Sequence, residues 1–199
     1  MHLQDYSMIE WARANRAEDY GPILDGASGV ASCVGTFGSP FLNATSMYEE
    51  NGNANALIAR AAEERAVRNF AYVSAHSYPL INRTLLREYY NGKMFAESII
   101  RELEFSKRTI LRPGFVFGTR SGIPLYLLGV PLAALLRLSP VRGLRDCLPT
   151  TLGDFLETPV SVDDVARCVA LGAMGELDDS GVPLSGLDIT RAARKGGSV

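Results

Sequence analysis

Short apolar runs, separated by stretches with helical spacing, make up the first half of the chain. Residues 29–34 (GVASCV) form a continuous small or apolar run, which is typical of a strand buried on both faces of a parallel sheet. Residues 69–74 (NFAYVS) and 109–111 (TIL) repeat this pattern and predict two more strands. A shorter apolar stretch at residues 8–12 predicts a further strand near the start of the chain.

Two helices are predicted between these strands. Residues 47–66 carry apolar side chains at helical spacing, and residues 84–105 do the same over a longer stretch. The resulting order of strand, helix, strand, helix, strand is typical of right-handed βαβ units on a parallel sheet. We therefore predict an α/β fold, a Rossmann-like parallel sheet flanked by helices. A single domain is expected over residues 1–190, since neither a repeat nor a long linker interrupts them.

The pattern changes in the second half of the chain. Residues 122–138 are nearly all apolar, but prolines interrupt them and they fall short of the roughly 20 residues that a membrane-spanning helix needs. Residues 159–162 are predicted to be extended, residues 165–174 to be helical, and residues 184–189 to form a last short strand. The basic, Gly/Ser-rich residues 191–199 are predicted to form a disordered tail.

Composition narrows the class of protein. Hydrophobic residues make up 47% of the 199 residues and charged residues 21%, values that are ordinary for a globular domain. The formal net charge of −2, without a Lys/Arg cluster, argues against a nucleic-acid partner. Cys33, Cys147 and Cys168 lie far apart and predict neither a disulfide framework nor a metal site. The first residues include acidic groups and no continuous apolar run, so they lack the pattern of a targeting peptide.

Tyr89 and Lys93 are the first residues that indicate chemistry. They stand four positions apart on a predicted helix, so both side chains project from one face. A nearby ammonium favours the phenolate form, and we expect it to lower the pKa of Tyr89 from about 10 toward the range of a general acid or base. The lysine can also donate hydrogen bonds to ribose hydroxyls. Taken alone, the pair is also compatible with a half-buried aromatic ring beside a solvated lysine.

Six short stretches occur in an order and spacing that resemble one known family. They are GVASCVGTFGS, NGNAN, NFAYVSAHS, YYNGKMFAE, ILRPGFVFG and TPVSVDDVA. Together they resemble the extended or atypical branch of the short-chain dehydrogenase/reductases, over residues 8–174. The likeness is greatest to the NAD(P)-binding proteins of mitochondria and plastids linked to coenzyme Q biosynthesis. The dehydrogenase-like accessory subunit of respiratory complex I is a more distant likeness.

The resemblance implies a cofactor, NAD or NADP, and an oxidoreductase or epimerase-type activity. It makes Tyr89 and Lys93 the active-site pair and gives both a part in cofactor binding. Asn15 would lie near the adenine. The segments after two strands would line the cofactor: Cys33, Val34 and Gly35 beside the adenosine ribose, and Pro113, Gly114 and Phe115 near the nicotinamide.

The active-site hydroxyl of the family falls on a different residue type in this chain. Ala75 stands where the family has serine or threonine, with Ser74 one residue early and Ser77 usable only if its loop bends inward. Ser74 is the candidate hydroxyl, and the loss of such a donor costs about 100-fold or more in rate where it is catalytic. Two functions stay open: an enzyme that uses Tyr89 and Lys93, and a non-catalytic nucleotide-binding scaffold for quinone biosynthesis or a respiratory complex.

A glycine-rich turn of the GxGxxG or GxxGxxG type is absent before residue 8. In the family this turn holds the pyrophosphate at a helix N-terminus. We therefore expect the chain to lack the first βαβ unit, to bind a dinucleotide poorly, and to leave residues 29–34 with an unpaired apolar edge. A truncated gene product and a minimal form that pairs with a partner both fit this pattern. The residue that distinguishes NAD from NADP would belong to the missing part.

The apolar residues 122–138 allow two interpretations within a predicted substrate-side or lid region, residues 119–157. They form a core or lid helix, or they provide an apolar pocket or a membrane-surface contact for a lipidic substrate such as a quinone. Arg137, Arg142 and Arg145 follow, and they either meet anionic headgroups or stay solvated. The resemblance implies a mitochondrial or plastid location and a peripheral-membrane, respiratory or quinone-biosynthesis partner.

Overall fold

The chain folds around a parallel sheet that has helices on both faces. The computed structural model describes residues 20–36, 47–78, 86–120, 123–124, 157–177 and 181–195. In chain order the elements are α1 (Gly21–Leu24), β1 (Gly29–Ser32), a π-helical turn (Glu49–Asn53) that leads into α2 (Ala54–Glu64), β2 (Asn69–Val73), α3 (Arg87–Glu102), β3 (Lys107–Arg112), β4 (Val116–Phe117), β5 (Thr119–Arg120), β6 (Ile123–Pro124), β7 (Val160–Ser161), α4 (Val162–Met174), β8 (Leu184–Ser185) and α5 (Gly186–Lys195).

The central sheet has the strand order β1-β2-β3-β8, and every pairing in it is parallel. Gly29 lies opposite Asn69, and Asn69 lies opposite Lys107, so the first three strands start in line and end at a common edge. This topology confirms the predicted α/β, Rossmann-like class. It also places the segments that follow β1, β2 and β3 side by side, at the carboxyl ends where ligands of such sheets bind.

Side chains alternate between the two faces along β2, because successive residues of a strand point to opposite sides. Phe70 and Tyr72 pack in a core with residues of α2 and α3. Ala71, between them, packs in a second core with residues of α4 and α5. The sheet therefore separates two helical layers, and the polar groups described below belong to the layer of α2 and α3.

Two glycines set the contact between the π-helical turn and α3. A Cβ added to Gly52 would lie 2.9 Å from the Cα of Gly92, and one added to Gly92 would lie 3.0 Å from the backbone nitrogen of Gly52. No side chain fits there unless one helix moves, so the two backbones can touch only because both residues are glycine. The contact brings their chain neighbours, Asn51 and Lys93, into the same region.

Strand β1 is shorter and less buried than the sequence predicts. It ends at Ser32, which is buried, whereas Ala31 is exposed and so are Cys33 and Val34 just beyond the strand. The prediction of burial on both faces is wrong because β1 is the outer strand of the described sheet and has β2 on one side only.

The C-terminal region is helical where the sequence predicted a strand followed by a disordered tail. Strand β8 is two residues long and α5 follows it directly. Ile189 and Ala193, one helical turn apart, are buried against α4. Arg194 and Lys195 lie in the last turn of α5, where cations complement the helix dipole. The basic composition of this stretch therefore belongs to a helix C-terminus, and residues 196–199 lie outside the described residues.

Two other predictions fall largely outside the described residues. The strand expected at residues 8–12 lies outside them entirely, and so does most of the apolar stretch 122–138. Within the part of the chain that the structure describes, no helix combines the length and the apolar character needed to cross a membrane.

Candidate functional site

Three segments of chain meet at the carboxyl edge of the sheet. Backbone hydrogen bonds continue across this edge beyond the strands, since Ser74 N donates to Leu111 O at 2.8 Å. Val34, after β1, is 36% exposed, and Phe115, after β3, is 42% exposed, which is unusual for large apolar side chains of the described residues. The edge is therefore tied together by its backbone and presents apolar surface to solvent.

Lys93 of α3 lies at the centre of this edge. Its Nζ donates hydrogen bonds to the carbonyl oxygens of Val34 and Val73, both at 3.0 Å. The residue is 4% exposed. Its ammonium also lies 5.2 Å from the centroid of the Tyr72 ring, within the range of a cation–π contact. Lys93 thus joins the ends of β1 and β2.

Burial governs the protonation of Lys93. It lowers the pKa of the ammonium to about 8, while Cys33 and Glu97 act in the opposite direction. Cys33 is exposed, yet the surrounding protein atoms desolvate its thiol enough to raise the pKa, an effect that Lys93 opposes. The thiol is therefore protonated at neutral pH, and Glu97 is the carboxylate that supports the ammonium there.

The pKa of Tyr89 shifts in the opposite direction to the one predicted from the sequence. Burial raises the pKa of its phenol, and its ring meets that of Tyr90 edge-on at a centroid distance of 5.3 Å. The expected lowering of this pKa by Lys93 is wrong, because the ammonium is directed at two backbone carbonyls. Tyr89 and Lys93 nevertheless both lie near Tyr72. Burial, Glu97 and Tyr89, in decreasing order, raise the pKa of the Tyr72 phenol. The Lys93 ammonium lies over the Tyr72 ring.

The residues after β2 include one buried hydroxyl. Ser74 is 3% exposed, and within the described residues its Oγ has no hydrogen-bond partner. Ala75 is also buried, whereas Ser77 is exposed, so the inward bend that Ser77 would need is not observed. The ring of His76 packs against that of Tyr78, with centroids 4.9 Å apart. Ser74 thus remains the hydroxyl candidate in this segment.

Two asparagines that the sequence analysis did not single out hold the segment after β1. Asn55 Nδ2 donates to Val34 O at 3.1 Å, and Asn55 Oδ1 accepts from Ser32 Oγ at 2.6 Å. Asn51 Nδ2 donates to Thr36 O at 2.9 Å, while its Oδ1 has no hydrogen-bond partner among the described residues. Both asparagines are fully buried. Their spacing of four positions within the stretch NGNAN was the available signal.

Gly35 lies where these polar groups converge. A Cβ at this position would come within 2.6 Å of Asn51 Oδ1 and within 2.9 Å of Lys93 Nζ, closer than Cβ atoms approach other groups. Only a glycine therefore lets the backbone approach the Lys93 ammonium and the Asn51 side-chain oxygen this closely.

The segment after β3 borders a different set of buried groups. Pro113 is buried, and a Cβ on Gly114 would lie 2.7 Å from Tyr78 Oη and 3.2 Å from Glu157 Cγ. Phe115 turns outward to solvent. The three residues predicted to lie near the nicotinamide thus run from the interior of the protein to its surface at the carboxyl edge.

An ion pair between a buried carboxylate and a half-buried guanidinium, also missed by the sequence analysis, lies one turn along α3 from Lys93. Arg112, the last residue of β3, donates through Nε to Glu97 Oε1 at 2.8 Å and through Nη2 to Glu97 Oε2 at 2.6 Å. The side chain of Glu97 is 3% exposed. This bidentate geometry is the strongest that arginine and a carboxylate form, and it ties α3 to β3.

Some predicted residues are not described by the structure. Asn15, Arg137, Arg142 and Arg145 lie outside the described residues, as does Cys147. Over the ranges that are described, no group of three or more His, Cys, Asp or Glu side chains is arranged to hold a metal ion.

Comparison with solved structures identifies the fold. The oxidoreductase ylbE from Lactococcus lactis superposes with a TM-score of 0.53 and 16% identity, over 96% of this chain and 75% of that chain. MoeE5 in complex with UDP-glucuronic acid and NAD gives a TM-score of 0.56 and 16% identity, over 89% of this chain and 60% of that chain. This chain has their fold. At this level of identity the likeness shows the fold alone, so any activity has to be argued from the side chains of the site.

Sequence comparison finds a plant relative. An uncharacterized chloroplastic protein of Arabidopsis thaliana is 33% identical over 157 residues, which are 76% of this chain and 51% of that protein. The chain therefore spans about half the length of the curated relative it matches. No protein-family model matches the sequence.

Proposed function

We propose that this chain is an NAD(P)-binding protein of the short-chain dehydrogenase/reductase type, whose parent activity is that of an oxidoreductase or epimerase. The observation that carries the proposal is the position of Lys93, whose buried ammonium lies at the carboxyl ends of β1 and β2. Carboxyl ends of parallel strands are where dinucleotides bind in sheets of this class. An ammonium at that edge is suited to hydrogen-bond ribose hydroxyls.

The described residues fit such a cofactor. Asn51 Oδ1 and Lys93 Nζ lie together beside the backbone of Gly35, and they can accept from and donate to the hydroxyls of a nucleoside. Val34 and Phe115 expose apolar surface at the same edge of the sheet, and flat aromatic ligands pack against such surface. Polar groups at the centre with apolar groups at the margins are the usual composition of a cofactor cleft.

Each side chain then has a distinct task. A bound nicotinamide nucleotide would supply the hydride donor or acceptor, and the chain's own groups bind, orient and exchange protons. Val34 and Gly35 line the adenosine ribose, and Lys93 binds the second ribose. Tyr89, whose raised pKa keeps its phenol protonated at neutral pH, holds a proton at Oη for a carbonyl or alcohol oxygen. Ser74 Oγ is the second hydroxyl donor of the site.

A lysine-specific measurement tests the proposal, because the chain contains three lysines, at positions 93, 107 and 195. With ¹³Cε-labelled lysine, NADH or NADPH should move the signal of Lys93 and leave those of Lys107 and Lys195 in place. Lys93→Met should abolish nucleotide binding, whereas the matched variant Lys107→Met should keep it. A Lys93 signal unaffected by both nucleotides would overturn the proposal.

A second function is favoured by Ala75. It is buried and lacks the hydroxyl that the resemblance places there, and the pKa of Tyr89 is raised by burial rather than lowered. Both features suit a non-catalytic nucleotide-binding scaffold for quinone biosynthesis or a respiratory complex. Tyr89→Phe separates the two functions. Loss of NAD(P)H-dependent turnover supports the enzyme, and nucleotide binding without turnover in either form supports the scaffold.

The location is proposed from the plant relative, and the substrate class from the apolar residues 122–138. We propose a plastid location, because the Arabidopsis thaliana relative is described as chloroplastic. A lipidic substrate such as a quinone, and contact with a membrane surface, stay predictions from the apolar residues 122–138, which lie mostly outside the described residues. Sedimentation with lipid vesicles checks the second point, and a protein that stays in the supernatant would remove it.

A further inference from the structure

Three side chains lie in line on α3: Tyr89, Lys93 and Glu97, each four residues from the next. Residues at this spacing project from one face of a helix. Lys93 reaches the carbonyls at the ends of β1 and β2, while Glu97 is held by Arg112 at the end of β3. The face therefore carries a buried cation and, one turn further along, a buried anion.

The ion pair is an expensive way to attach α3 to the sheet. Removing a charge from water costs several kcal/mol, and here that cost falls mainly on Glu97, whose side chain is 3% exposed while that of Arg112 is 34% exposed. Well-packed apolar residues often replace a buried charged pair without loss of stability. The same face of the sheet is otherwise packed by apolar side chains such as Ile100 and Ile110. Adhesion between α3 and β3 thus does not require Glu97 and Arg112, which points to a role for their charges.

We propose that Glu97, anchored by Arg112, is the counter-charge and positioning residue of Lys93, so that this lysine stands in the nucleotide site as an ammonium at neutral pH. The inference rests on the proposed function for the meaning of that site. Glu97 itself touches neither the nucleotide nor a substrate, and it acts only through Lys93.

The charged and titratable groups around Lys93 leave Glu97 as the effective anion. From the elements packed against α3 come Cys33 after β1, Tyr72 in β2 and Arg112 in β3. Helix α3 itself contributes Tyr89, Glu97 and Arg101, whose Nη2 lies 3.7 Å from Glu97 Oε2, and the carboxylates of the π-helical turn, Glu49 and Glu50, are exposed. Burial raises the pKa of the two phenols and of the thiol, so all three are uncharged near neutrality. A carboxylate one turn away opposes the loss of the proton that burial of Lys93 favours.

A pH titration of the ¹³Cε signal of Lys93, without nucleotide, tests the inference. The wild-type midpoint is expected at about pH 8. Glu97→Gln keeps the shape of the side chain but removes the charge and leaves Arg112 unpaired. We expect its midpoint to fall by about one pH unit, which is about ten-fold in the ratio of amine to ammonium. Glu97→Asp keeps the carboxylate and should recover at least half of that shift.

Two matched controls separate the counter-charge from other effects. Glu102→Gln makes the same change of charge at an exposed position at the end of α3, and its midpoint should move by less than about a third of a unit. Cys33→Ser removes the other group that supports the ammonium, and it should likewise leave the midpoint nearly unchanged, because the thiol is protonated at this pH. A midpoint that responds to Cys33→Ser and not to Glu97→Gln overturns the inference.

A second variant covers the case in which Glu97→Gln does not fold. The double substitution Glu97→Met with Arg112→Leu replaces both charges by apolar side chains, which such sites tolerate. It should show a lowered midpoint similar to that expected for Glu97→Gln, and an unchanged midpoint in a folded double variant contradicts the inference. The nucleotide titration decides the proposed function separately. If the midpoint of Lys93 shifts in Glu97→Gln but its signal does not respond to NADH, the counter-charge role of Glu97 is supported and the proposed nucleotide site is rejected.

Discussion

The two faces of the central sheet are packed by different kinds of side chain. The face under α2 and α3 combines an apolar core with five fully or almost fully buried polar residues, Ser32, Asn51, Asn55, Lys93 and Glu97. The face under α4 and α5 has a core of aliphatic side chains and Cys168, whose Sγ donates to Ile189 O at 3.1 Å, and its helices also bury the hydroxyl residues Thr109 and Thr190. Both layers belong to one sheet, so the difference does not arise from the topology.

The contrast indicates which layer serves the site. A buried polar group is costly unless it is satisfied, and two of those near the carboxyl edge, Asn51 Oδ1 and Ser74 Oγ, have no partner among the described residues. In native proteins such groups serve catalysis, bind a water or an ion, or store strain. The layer of α4 and α5 carries stability, whereas the layer of α2 and α3 carries stability and the candidate chemistry together.

The largest expected effect comes from the apolar layer. Leu111→Ala removes a fully buried side chain and should lower the free energy of unfolding by about 2–5 kcal/mol, through lost burial and the cavity that remains. Urea denaturation measures the loss. Below the transition, the response of the Lys93 signal to NADH should be unaltered, and a lost response in the folded variant would show that the two layers are not separable in this way.

A matched pair of glycine substitutions gives the next effect. Gly92→Ala would place a Cβ 3.0 Å from Gly52 N in the layer with the site, and Gly172→Ala would place one 2.7 Å from Thr109 Cβ in the other layer. In each variant the overpacking should lower the free energy of unfolding by about 1–3 kcal/mol. The higher helix propensity of alanine should restore about 1 kcal/mol of that loss.

The two variants should lose similar stability in urea denaturation, but only Gly92→Ala should weaken the NADH response, because it displaces α3 and with it Lys93. Equal weakening in both variants, or weakening in Gly172→Ala alone, would mean that the helix contact at Gly52 does not position the site.

The smallest effect concerns pH. The pKa of Lys93 in the folded chain is about 8, below its ordinary value of 10.5, so between these values the unfolded chain binds more protons than the folded one. Stability from this group therefore rises with pH in that window and is constant well below pH 8. Relative to Lys93→Met, wild-type stability should increase by about 1 kcal/mol from pH 8 to pH 9.

Urea denaturation at both pH values measures this difference. The thiol of Cys168, whose pKa burial raises to about 11, acts in the opposite direction in both proteins and cancels. A difference that stays constant or falls as the pH rises would contradict the burial of Lys93 as an ammonium.

The sequence predicted the sheet better than the site. Continuous apolar runs at residues 29–34, 69–74 and 109–111 identify strands because a parallel sheet buries both of its faces, and those three runs pair as expected. The residue pattern does not show that Asn51 and Asn55 turn inward, since asparagine is usually exposed and polar side chains at helical spacing normally mark a solvated face.

The sequence pattern also did not predict the protonation of Tyr89 beside Lys93, or the helix α5. Whether Lys93 supports a phenolate at Tyr89 depends on where its ammonium points, and that is decided by carbonyls 59 and 20 residues away along the chain. The helix α5 escaped prediction because its buried side, including Ile189 and Ala193, spans fewer than two turns, too short for its periodicity to stand out from a basic Gly/Ser-rich stretch.

The carbonyl oxygen of Val34 accepts two hydrogen bonds, one from Asn55 and one from Lys93. A carbonyl has two lone pairs, so this oxygen is already saturated by the protein. A molecule lying along residues 33–36 can therefore gain nothing by offering a donor to it. Ligand specificity along this stretch therefore depends on molecular shape and on neighbouring groups. A ligand with a hydrogen-bond donor at that point binds less well, because the donor finds no free acceptor there.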